Sequence, residues 1–452
     1  MKTYQDLLAV GLNEQSRMAF VLSAVNEFRG SAPYRFALDA QLYYDGENPT
    51  INRYEKLLYD LQGRAHVDRF TANHKLASRF FGFAVDQETG YLLGNGVTFG
   101  DSRTQDKLGA DFDQAVMDVA RQALIGGVAF GFWDLDRLRV FSLLEFLPLY
   151  DEENGALMAG VRFWRLTSEK PLRATLYEVD GFTEYRQRKD GNLELLQPKR
   201  SYKQIKAKAA VGNAEIFDGG NYPGLPIVPL KNGRLCRSEL AGKRNTVDAL
   251  DLITSNLVNN IDEGTLVYWV LENCGGMDDL DDVKFVERLK TLRTAHADNA
   301  GGTATPHTIE APFEGNSVTI DVLKKKLYED FQCFDASAVS AGNQTATAIK
   351  ASYAPLDLKT DKFEAEVTRF ILGILQLAGI DDKPSYTRNQ IINRTEEVQA
   401  LLLGAQYYDD EYLTKKLLTL NGDIDQYEDM ARRKAAEDAG RSFDLTEETV
   451  VE

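Results

Sequence analysis

Cysteine and histidine are scarce in this chain. Its 452 residues include three cysteines, Cys236, Cys274 and Cys333, and four histidines. The cysteines are odd in number and far apart, which argues against a disulfide framework and predicts reduced thiols, as in a cytoplasmic setting. As small apolar side chains they are expected to be buried rather than nucleophilic. The histidines show no H-x-x-x-H pairing and no neighbouring cysteine, so no metal site is predicted. These histidines are His66, His74, His296 and His307.

Catalytic signatures are also missing. The nearest match to a phosphate-binding G-x-x-x-x-G-K-[ST] loop is GNQTATAIK at 342–350, which lacks the second glycine and has alanine after Lys350. The segment GNGVTFG at 94–100 places its third glycine one position too late for a dinucleotide-binding fingerprint. No G-x-S-x-G sequence occurs. These absences predict a protein that is not an enzyme and needs no cofactor.

Long apolar runs are absent as well. The longest nearly uncharged apolar stretch, 123–133, contains three glycines and is shorter than the roughly 20 residues that a membrane span requires. The first residues, Met1-Lys-Thr-Tyr-Gln-Asp, are polar and mixed, so neither secretion nor membrane insertion is expected.

Basic residues are outnumbered by acidic ones. The chain has 52 Lys and Arg against 69 Asp and Glu, a formal net charge of -17. Tight binding to phosphates depends on basic side chains that displace counterions, so a sequence-reading DNA-binding protein is disfavoured. An acidic wall would still let duplex DNA slide past, and the alternative, that the charge serves only solubility, stays open.

The residues present predict an α+β chain of about three domains, by the rule of roughly 150 residues per domain. Apolar spacing of three and four predicts helices at 4–28, 52–61, 68–83 and 111–124. Alternation then predicts an antiparallel meander with strands near 128–133, 137–142, 159–166, 174–179 and 183–188.

The second half is predicted to be mainly helical. A helix at 240–262 has a narrow apolar stripe, Leu250, Ile253, Leu257 and Ile261, and its polar faces suit packing against symmetry mates in a ring. A second helix is predicted at 322–334. The segment between the two helices, 264–319, is predicted to be an insertion. Within this insertion we expect strands at 266–271, 307–311 and 317–321 and a helix at 279–297.

A loop of small and polar residues, 335–347, leads into a helix that begins near Ile349. Pro355 lies inside the helical pattern, which predicts a kinked helix or two helices that meet at Ala354. Further on we expect a strand at 385–388, helices at 394–403, 410–418 and 426–439, and a frayed tail after Arg441.

Three segments resemble tailed-bacteriophage portal proteins, in the family that includes the portals of Gram-positive siphophages. They are NHKLASRFFGFAVDQETGYLLGNGVTF at 73–99, SAGNQTATAIKASYAPLDLKTDKFEAEVTRFILGIL at 340–375 and YTRNQIINRTEEVQALL at 386–402. The resemblance implies an α+β portal-type ring subunit with antiparallel strands and helices in its wing, a helical stem, a small α/β clip and an α-helical crown. The implied parts are a wing at 1–233, a first stem helix at 234–263, a clip at 264–319, a second stem helix at 320–334, a tunnel loop at 335–348, a kinked long helix of the wing at 349–380, a crown at 381–440 and an acidic tail at 441–452.

The resemblance also implies sites and partners. The residues expected along the DNA channel in the tunnel loop are Ser337, Ser340, Asn343, Gln344, Thr345 and Lys350. Those expected on the stem are Lys324, Lys325 and Lys326, and those on the clip, facing the terminase, are Asp278, Asp281, Asp282 and Glu287. The implied partners are eleven further copies in a dodecameric ring, double-stranded DNA bound without sequence preference, the terminase large subunit, the major capsid and scaffolding proteins and a head–tail adaptor. The implied locations are the portal vertex of the virion and, during assembly, the host cytoplasm.

Other interpretations remain at this point. The chain could be a nucleotide- or nucleic-acid-processing enzyme of a mobile element with a non-standard site, or a minor capsid or adaptor protein. The loop at 335–347 could be a passive linker. The basic run at 198–210, with Lys199, Arg200, Lys203, Lys206 and Lys208, could contact DNA or be a solvated face.

Overall fold

A computed structural model describes most of the chain. The described residues are 2–59, 62–68, 71–208, 215–264, 268–272, 303–307, 313–337, 346–389, 394–421, 427 and 429–433. The chain forms two units, of which the first comprises Met1–Phe334 and Pro355–Arg388 and the second comprises Asp335–Ala354 and Asn389–Glu452.

The first four helices of the first unit begin at side-chain caps. Thr3, Asn13, Ser31 and Asn48 each accept a hydrogen bond from a backbone amide of the first helical turn, which satisfies donors that have no partner inside the helix. The predicted helix at 4–28 is two helices, since Gly11 has a φ of 71° and Asn13 caps a new start. The helices are α1 Tyr4–Val10, α2 Glu14–Arg29, α3 Ala32–Asp45, α4 Pro49–Asn52, α5 Phe80–Leu93, α6 Arg103–Leu108 and α7 Phe112–Gly126.

Two of the predicted helices in this region are wrong. The only helical residue of the described range 52–59 is Asn52, at the end of α4, and Leu57–Tyr59 form strand β1, which pairs antiparallel with β2 Ala65–Val67; residues 60 and 61 lie outside the described residues. Residues 71–79 have no helical structure, and the helix predicted at 68–83 begins only at Phe80. The helix predicted at 111–124 is confirmed as α7, which buries Val116, Val119 and Leu124.

The antiparallel strands predicted between 128 and 188 are confirmed, but they lie in two sheets and not in one meander. The last three of them belong to a five-stranded sheet in which each strand pairs with the next along the chain. Its strands are β6 Phe146–Tyr150, β7 Leu157–Trp164, β8 Arg173–Glu178, β9 Gly181–Gln187 and β10 Leu193–Arg200. Sequence alternation missed β6, because four of its five residues are buried and no polar face interrupts the pattern.

A second sheet lies beside α7. It has the order β13–β4–β5, with strands β4 Val128–Asp134, β5 Arg137–Ser142 and β13 Ile227–Lys231. Gly131 of β4 lies directly under the ring of Phe370, since an added Cβ would come within 2.5 Å of Phe370 Cζ. The smaller strand pairs are β3 Val97–Phe99 with β16 Pro384–Tyr386, β11 Lys203–Lys208 with β12 Glu215–Gly220, and β14 Tyr268–Glu272 with β15 Thr303–His307.

Long helices make up most of the rest. They are α8 Arg244–Gly264, α9 Phe313–Phe331 and α10 Ala346–Ala378. The strand predicted at 317–321 is wrong, because these residues lie in α9, where Ile320 continues the three- and four-residue spacing of Leu323 and Leu327. The strand predicted at 266–271 is confirmed by β14, whereas the helix predicted at 279–297 lies outside the described residues.

Helix α10 continues through Pro355 without a break, so the alternative of two separate helices is wrong. Its predicted apolar face is confirmed, because Phe363, Val367, Phe370 and Ile374 are all buried. The helix starts at Ala346, three residues before the predicted start.

The C-terminal part contains helices α11 Arg394–Leu403 and α12 Asp410–Asn421, as predicted. Residues 381–388 belong to the first unit, although the implied crown begins at 381. Asp382 binds this segment to the first unit, because its carboxylate accepts hydrogen bonds from the Thr104 hydroxyl and from the amides of Gly100 and Asp101. These hydrogen bonds, the Thr104 contact first, lower the pKa of Asp382 to about 2. Of the predicted helix at 426–439, residues 427 and 429–433 are described and helical, and the tail lies outside the described residues.

Candidate functional site

Helices α8 and α9 pack together as an antiparallel pair. The Thr246 hydroxyl near the start of α8 donates a hydrogen bond of 3.4 Å to Asp330 at the end of α9. At this end of the pair, Val247, Leu250, Leu327 and Phe331 are buried. The pair is therefore anchored in the first unit where α8 begins and α9 ends.

The opposite end of the pair has exposed apolar side chains. Ile261 is 49% exposed, Val318 63% and Val322 61%. Ile253 and Leu257, on the predicted apolar stripe of α8, are only partly buried. A stripe that is covered at one end and open at the other indicates a surface that a further protein contact would bury.

Part of the polar surface of α8 is covered within the subunit. Asp251, Ser255 and Asn259, spaced four residues apart, are 1%, 4% and 2% exposed. They accept hydrogen bonds from the backbone amides of Ser78, Leu76 and His74, at 3.0, 2.9 and 2.7 Å respectively. One face of a helix thus satisfies every second amide of an extended segment, in the way that a neighbouring strand would.

Asn48 strengthens this arrangement from a third element. Its side-chain amide donates to Asp248 at 3.0 Å and to Asp251 at 2.8 Å. Burial raises the pKa of Asp251, although the hydrogen bonds from Ser78 and Asn48 act in the opposite direction. Elsewhere on α8, the apolar Ile253 and Leu257 and the polar Thr254, Asn256 and Asn260 are only partly buried.

Replacing Asn259 by leucine is expected to release the segment at 71–79. The substitution removes the acceptor of the His74 amide, and a part-buried donor without a partner costs about 1–3 kcal/mol. Hydrogen exchange at His74 and Leu76 should accelerate, while exchange in the five-stranded sheet should stay unchanged. The control is Asn260→Leu, one position along the helix and only partly buried; equal acceleration in both variants would contradict the assignment.

The three lysines predicted on the stem lie on α9 and are all exposed. Successive residues of a helix are about 100° apart, so Lys324 and Lys326 point to different sides. Lys326 pairs with Asp330, with 3.1 Å between Nζ and Oδ1. Lys325 is on the same side as Val318 and Val322, opposite the buried Leu327. The three do not form one cationic patch.

The predicted tunnel loop is described only at its two ends. Ser337 is exposed and donates both its amide and its hydroxyl to Asp335, at 2.9 and 2.6 Å. Lys350 lies in the exposed part of the first turns of α10. The other predicted loop residues, Ser340, Asn343, Gln344 and Thr345, and the clip residues Asp278, Asp281, Asp282 and Glu287 lie outside the described residues.

A buried charge cluster, which sequence reasoning missed, lies where α9 ends. Lys359 of α10 is 9% exposed, and its Nζ lies 2.7 Å from Glu88 Oε2, 3.1 Å from Glu239 Oε1 and 3.0 Å from the Phe331 carbonyl oxygen. Lys243 pairs with Glu239 and stands over the Phe331 ring. A signal was available in the sequence, because Lys359 precedes Phe363 and Val367 at four-residue spacing, on the apolar face of its helix.

Burial and the opposite charges within the cluster act in opposite directions on the pKa values of its members. Burial alone would lower the pKa of Lys359, but Glu88 and Glu239 raise it. Burial raises the pKa of Glu88; it would do the same for Glu239, but Lys359 and Lys243 lower the pKa of that carboxyl. Burial also raises the pKa of the neighbouring Cys333 to about 12, so this cysteine is a buried neutral thiol, as predicted.

The basic run at 198–210 is paired within the chain where it is described. Lys199 lies 3.0 Å from Glu178 and 2.5 Å from Asp180. Arg200 pairs with Glu184 at 2.6 Å, and Lys203 stands over the Tyr222 ring, 4.5 Å from its centroid. These contacts favour the interpretation of a solvated, internally paired face; the side chains of Lys206 and Lys208 lie outside the described residues.

Among the described residues, no group of three histidine, cysteine, aspartate or glutamate side chains is arranged to hold a metal ion. In the same part of the chain, none of the helices combines the length and the hydrophobicity of a membrane span.

Comparison with known proteins assigns the chain to a family. Residues 37–439 match the family model described as "Phage portal protein, SPP1 Gp6-like". The chain is 24% identical over 398 residues to the portal protein of Clostridium phage phiCD119, covering 80% of this chain and 84% of that protein. It is 25% identical over 395 residues to the portal protein of Bacillus phage SPP1, covering 80% and 76%.

Among solved structures, the chain is similar to a chain in the neck of a native gene transfer agent particle computed with C12 symmetry. The TM-score is 0.44 and the identity is 10%, and the match covers 75% of this chain and 89% of the other. A chain in the virion of the native gene transfer agent is similar at a TM-score of 0.44 and 11% identity, covering 76% and 89%.

The family match covers most of the chain, and this chain belongs to the phage portal protein family, SPP1 Gp6-like. The resemblance noted from its three sequence segments is thereby confirmed. It is a structural protein of the phage particle and not an enzyme. The observed mixture of helices and antiparallel sheets confirms the predicted α+β class.

Proposed function

We propose that this chain is the subunit of a dodecameric ring at the unique vertex of a phage capsid, through which double-stranded DNA is packaged and ejected. The family match supports the portal assignment, and one observation on the subunit supports the ring. Helix α8 leaves the apolar side chains of Ile253, Leu257 and Ile261 partly or largely open. A closed ring would cover such surfaces with a neighbouring copy of the same chain.

The parts of the subunit are assigned as follows. Residues 1–233 and the helix at 349–380 form the wing, and the crown follows at 381–440. Helices α8 and α9 supply the stem at 234–263 and 320–334. The strand pair β14–β15 belongs to the clip at 264–319, and the loop at 335–348 enters the channel. The early start of α9 at Phe313 extends the second stem helix seven residues beyond the boundary expected from sequence.

Conduction of DNA by this ring depends on shape and weak contact. A channel wall as acidic as the chain overall, with its net charge of -17, leaves the phosphates of a duplex in their solvent shell, because acidic residues do not displace the counterions of DNA. The polar tunnel-loop residues Ser337, Ser340, Asn343, Gln344 and Thr345 contact phosphates through water. Lys350 and Lys325 supply single cationic contacts, which retain DNA far less than a continuous basic stripe would.

The ring also serves as a dock. Asp278, Asp281, Asp282 and Glu287 form an acidic surface of the clip that binds the terminase large subunit during packaging and a head–tail adaptor afterwards. The wing contacts the major capsid and scaffolding proteins. Assembly takes place in the host cytoplasm, and the ring then stays in the virion.

Ring formation is expected to fail when the open apolar surface of the stem is made acidic. Ile261→Asp combined with Val322→Asp adds two charges per subunit where we place the neighbouring copy, and like charges repeated around a ring repel one another. Light scattering should report rings for the unmodified protein and monomers for this variant.

The matched control is Leu12→Asp, at an exposed leucine between α1 and α2. It should form rings normally. An unmodified protein that stays monomeric or dimeric at high concentration would contradict the portal ring, and ring formation by the stem variant would contradict the assignment of its interface.

A further inference from the structure

The chain leaves the first unit after Phe334 and returns to it at Pro355. Gln87 of α5 contacts the chain at this exit. Its Nε2 donates to the Phe334 carbonyl oxygen at 2.9 Å, and its Oε1 accepts from the Phe334 amide at 2.8 Å. Gln87 therefore binds both backbone groups of the last residue before the excursion, much as a paired strand does.

The return is held one helical turn further along the same helix. The Tyr91 hydroxyl donates to Asp357 Oδ1 at 2.5 Å, two residues after the chain re-enters the first unit. The guanidinium of Arg388 stands over the Tyr91 ring and binds Asp361 and Glu364 of α10. Gln87 and Tyr91 are four residues apart, about 6 Å along the helix axis.

Between these two contacts, Glu88 of α5 pairs with Lys359, which in turn binds the Phe331 carbonyl oxygen. Three neighbouring positions of one helix thus hold the end of α9 and the re-entering part of α10. Helix α5 is itself well seated, because Phe81, Ala84 and Leu92 are fully buried. The described residues on either side of the excursion, Phe334 and Asp357, are therefore bound to a buried helix.

We propose that α5 is a clamp for the tunnel-loop segment: Gln87 and Tyr91 fix the points at which residues 335–354 leave and return, and so limit how far the loop reaches. They are positioning residues, since they act through the backbone of Phe334 and the carboxylate of Asp357. The place of this loop in a DNA channel rests on the function proposed above, whereas the clamp rests on the contacts of α5.

The test is hydrogen exchange on the assembled full-length protein carrying Gln87→Met and Tyr91→Phe together. These substitutions keep the approximate size of each side chain and remove the hydrogen bonds to Phe334 and Asp357. Each hydrogen bond contributes a modest amount, and exchange in residues 333–337 and 350–354 should accelerate by roughly tenfold when both contacts are lost. Exchange in the five-stranded sheet and the unfolding midpoint should stay close to those of the parent.

Tyr44→Phe is the matched control. Tyr44 donates to Asp86 at 2.8 Å, so this variant also loses a tyrosine hydroxyl bound to α5, but away from the excursion. Unchanged exchange at 333–337 and 350–354 in the double variant, or equal acceleration in the control, would overturn the clamp. Failure of ring assembly in the unmodified protein would instead overturn the proposed function, so the two outcomes are distinguishable.

Discussion

Lys359→Met is expected to destabilise the protein by about 3–5 kcal/mol, since removal of one partner from a buried ion pair leaves the other charge uncompensated. Glu88 is 1% exposed, and Lys359 is its partner at 2.7 Å. Glu239 keeps Lys243 as a partner, so the orphaned group is Glu88. The same substitution removes the donor to the Phe331 carbonyl oxygen, at the end of α9. Denaturant unfolding followed by tryptophan fluorescence measures the loss.

The control is Lys362→Met, an exposed lysine three residues further along α10, which should change the stability by less than about 1 kcal/mol. Adding Glu88→Gln to Lys359→Met should recover part of the loss, because the uncompensated charge is then absent, and the double-mutant cycle gives the coupling. Equal stability of the Lys359 and Lys362 variants would show that the cluster contributes nothing to folding.

The spacing of apolar residues predicted two kinds of helix and strand correctly. These are the ones that pack against elements near in sequence and the ones that bury a single face. Helix α7 and the strands β4, β5, β7, β8 and β9 were found within one or two residues, because apolar spacing of three and four or of two reports directly which face meets the core. The buried face of α10, from Phe363 to Leu375, was predicted for the same reason. Pro355 did not separate two helices, although a helix interior normally disfavours proline.

The segment at 71–79 shows what periodicity could not predict. Its pattern continues into Phe80 and Phe81 and suggests one long helix, yet the amides of His74, Leu76 and Ser78 bind side chains of α8 more than 170 residues away. No local signal marks Asp251, Ser255 and Asn259 as backbone acceptors. Their four-residue spacing became informative only when the structure placed an extended segment of the chain against this face of α8.

The candidate site was predictable to an uneven extent. The sequence showed Lys324, Lys325 and Lys326 as three consecutive lysines. Only the structure shows that they point in different directions, through the burial of Leu327 and the ion pair of Lys326. The prediction of a tunnel loop rests on the resemblance to portal proteins, because the composition of this loop is equally typical of a passive linker. The contacts of Gln87 and Tyr91 join residues 247 and 266 positions apart, a separation at which a single sequence has no pattern to read.

Large side chains placed in the loop between Phe334 and α10 should impair the function of the ring without preventing its assembly. Its residues are small and polar, so a dozen copies can crowd around one duplex and meet phosphates through water. Under the proposed assignment, Ser340 and Asn343 belong to the loop and not to the wing or the stem. A change in size at these positions should therefore act on the passage of DNA and leave folding and assembly as they are.

Ser340→Trp combined with Asn343→Trp is expected to give rings of normal size by light scattering but capsids that do not fill, and therefore a loss of infectious particles. The measurement is the DNA content of purified particles together with the infectious titre. The matched control is Ser168→Trp combined with Asn26→Trp, which makes the same two replacements at exposed positions of the first unit and should package normally. Normal filling and titre with the loop variant would mean that residues 335–348 do not line a constricted channel, and that the loop is a passive linker.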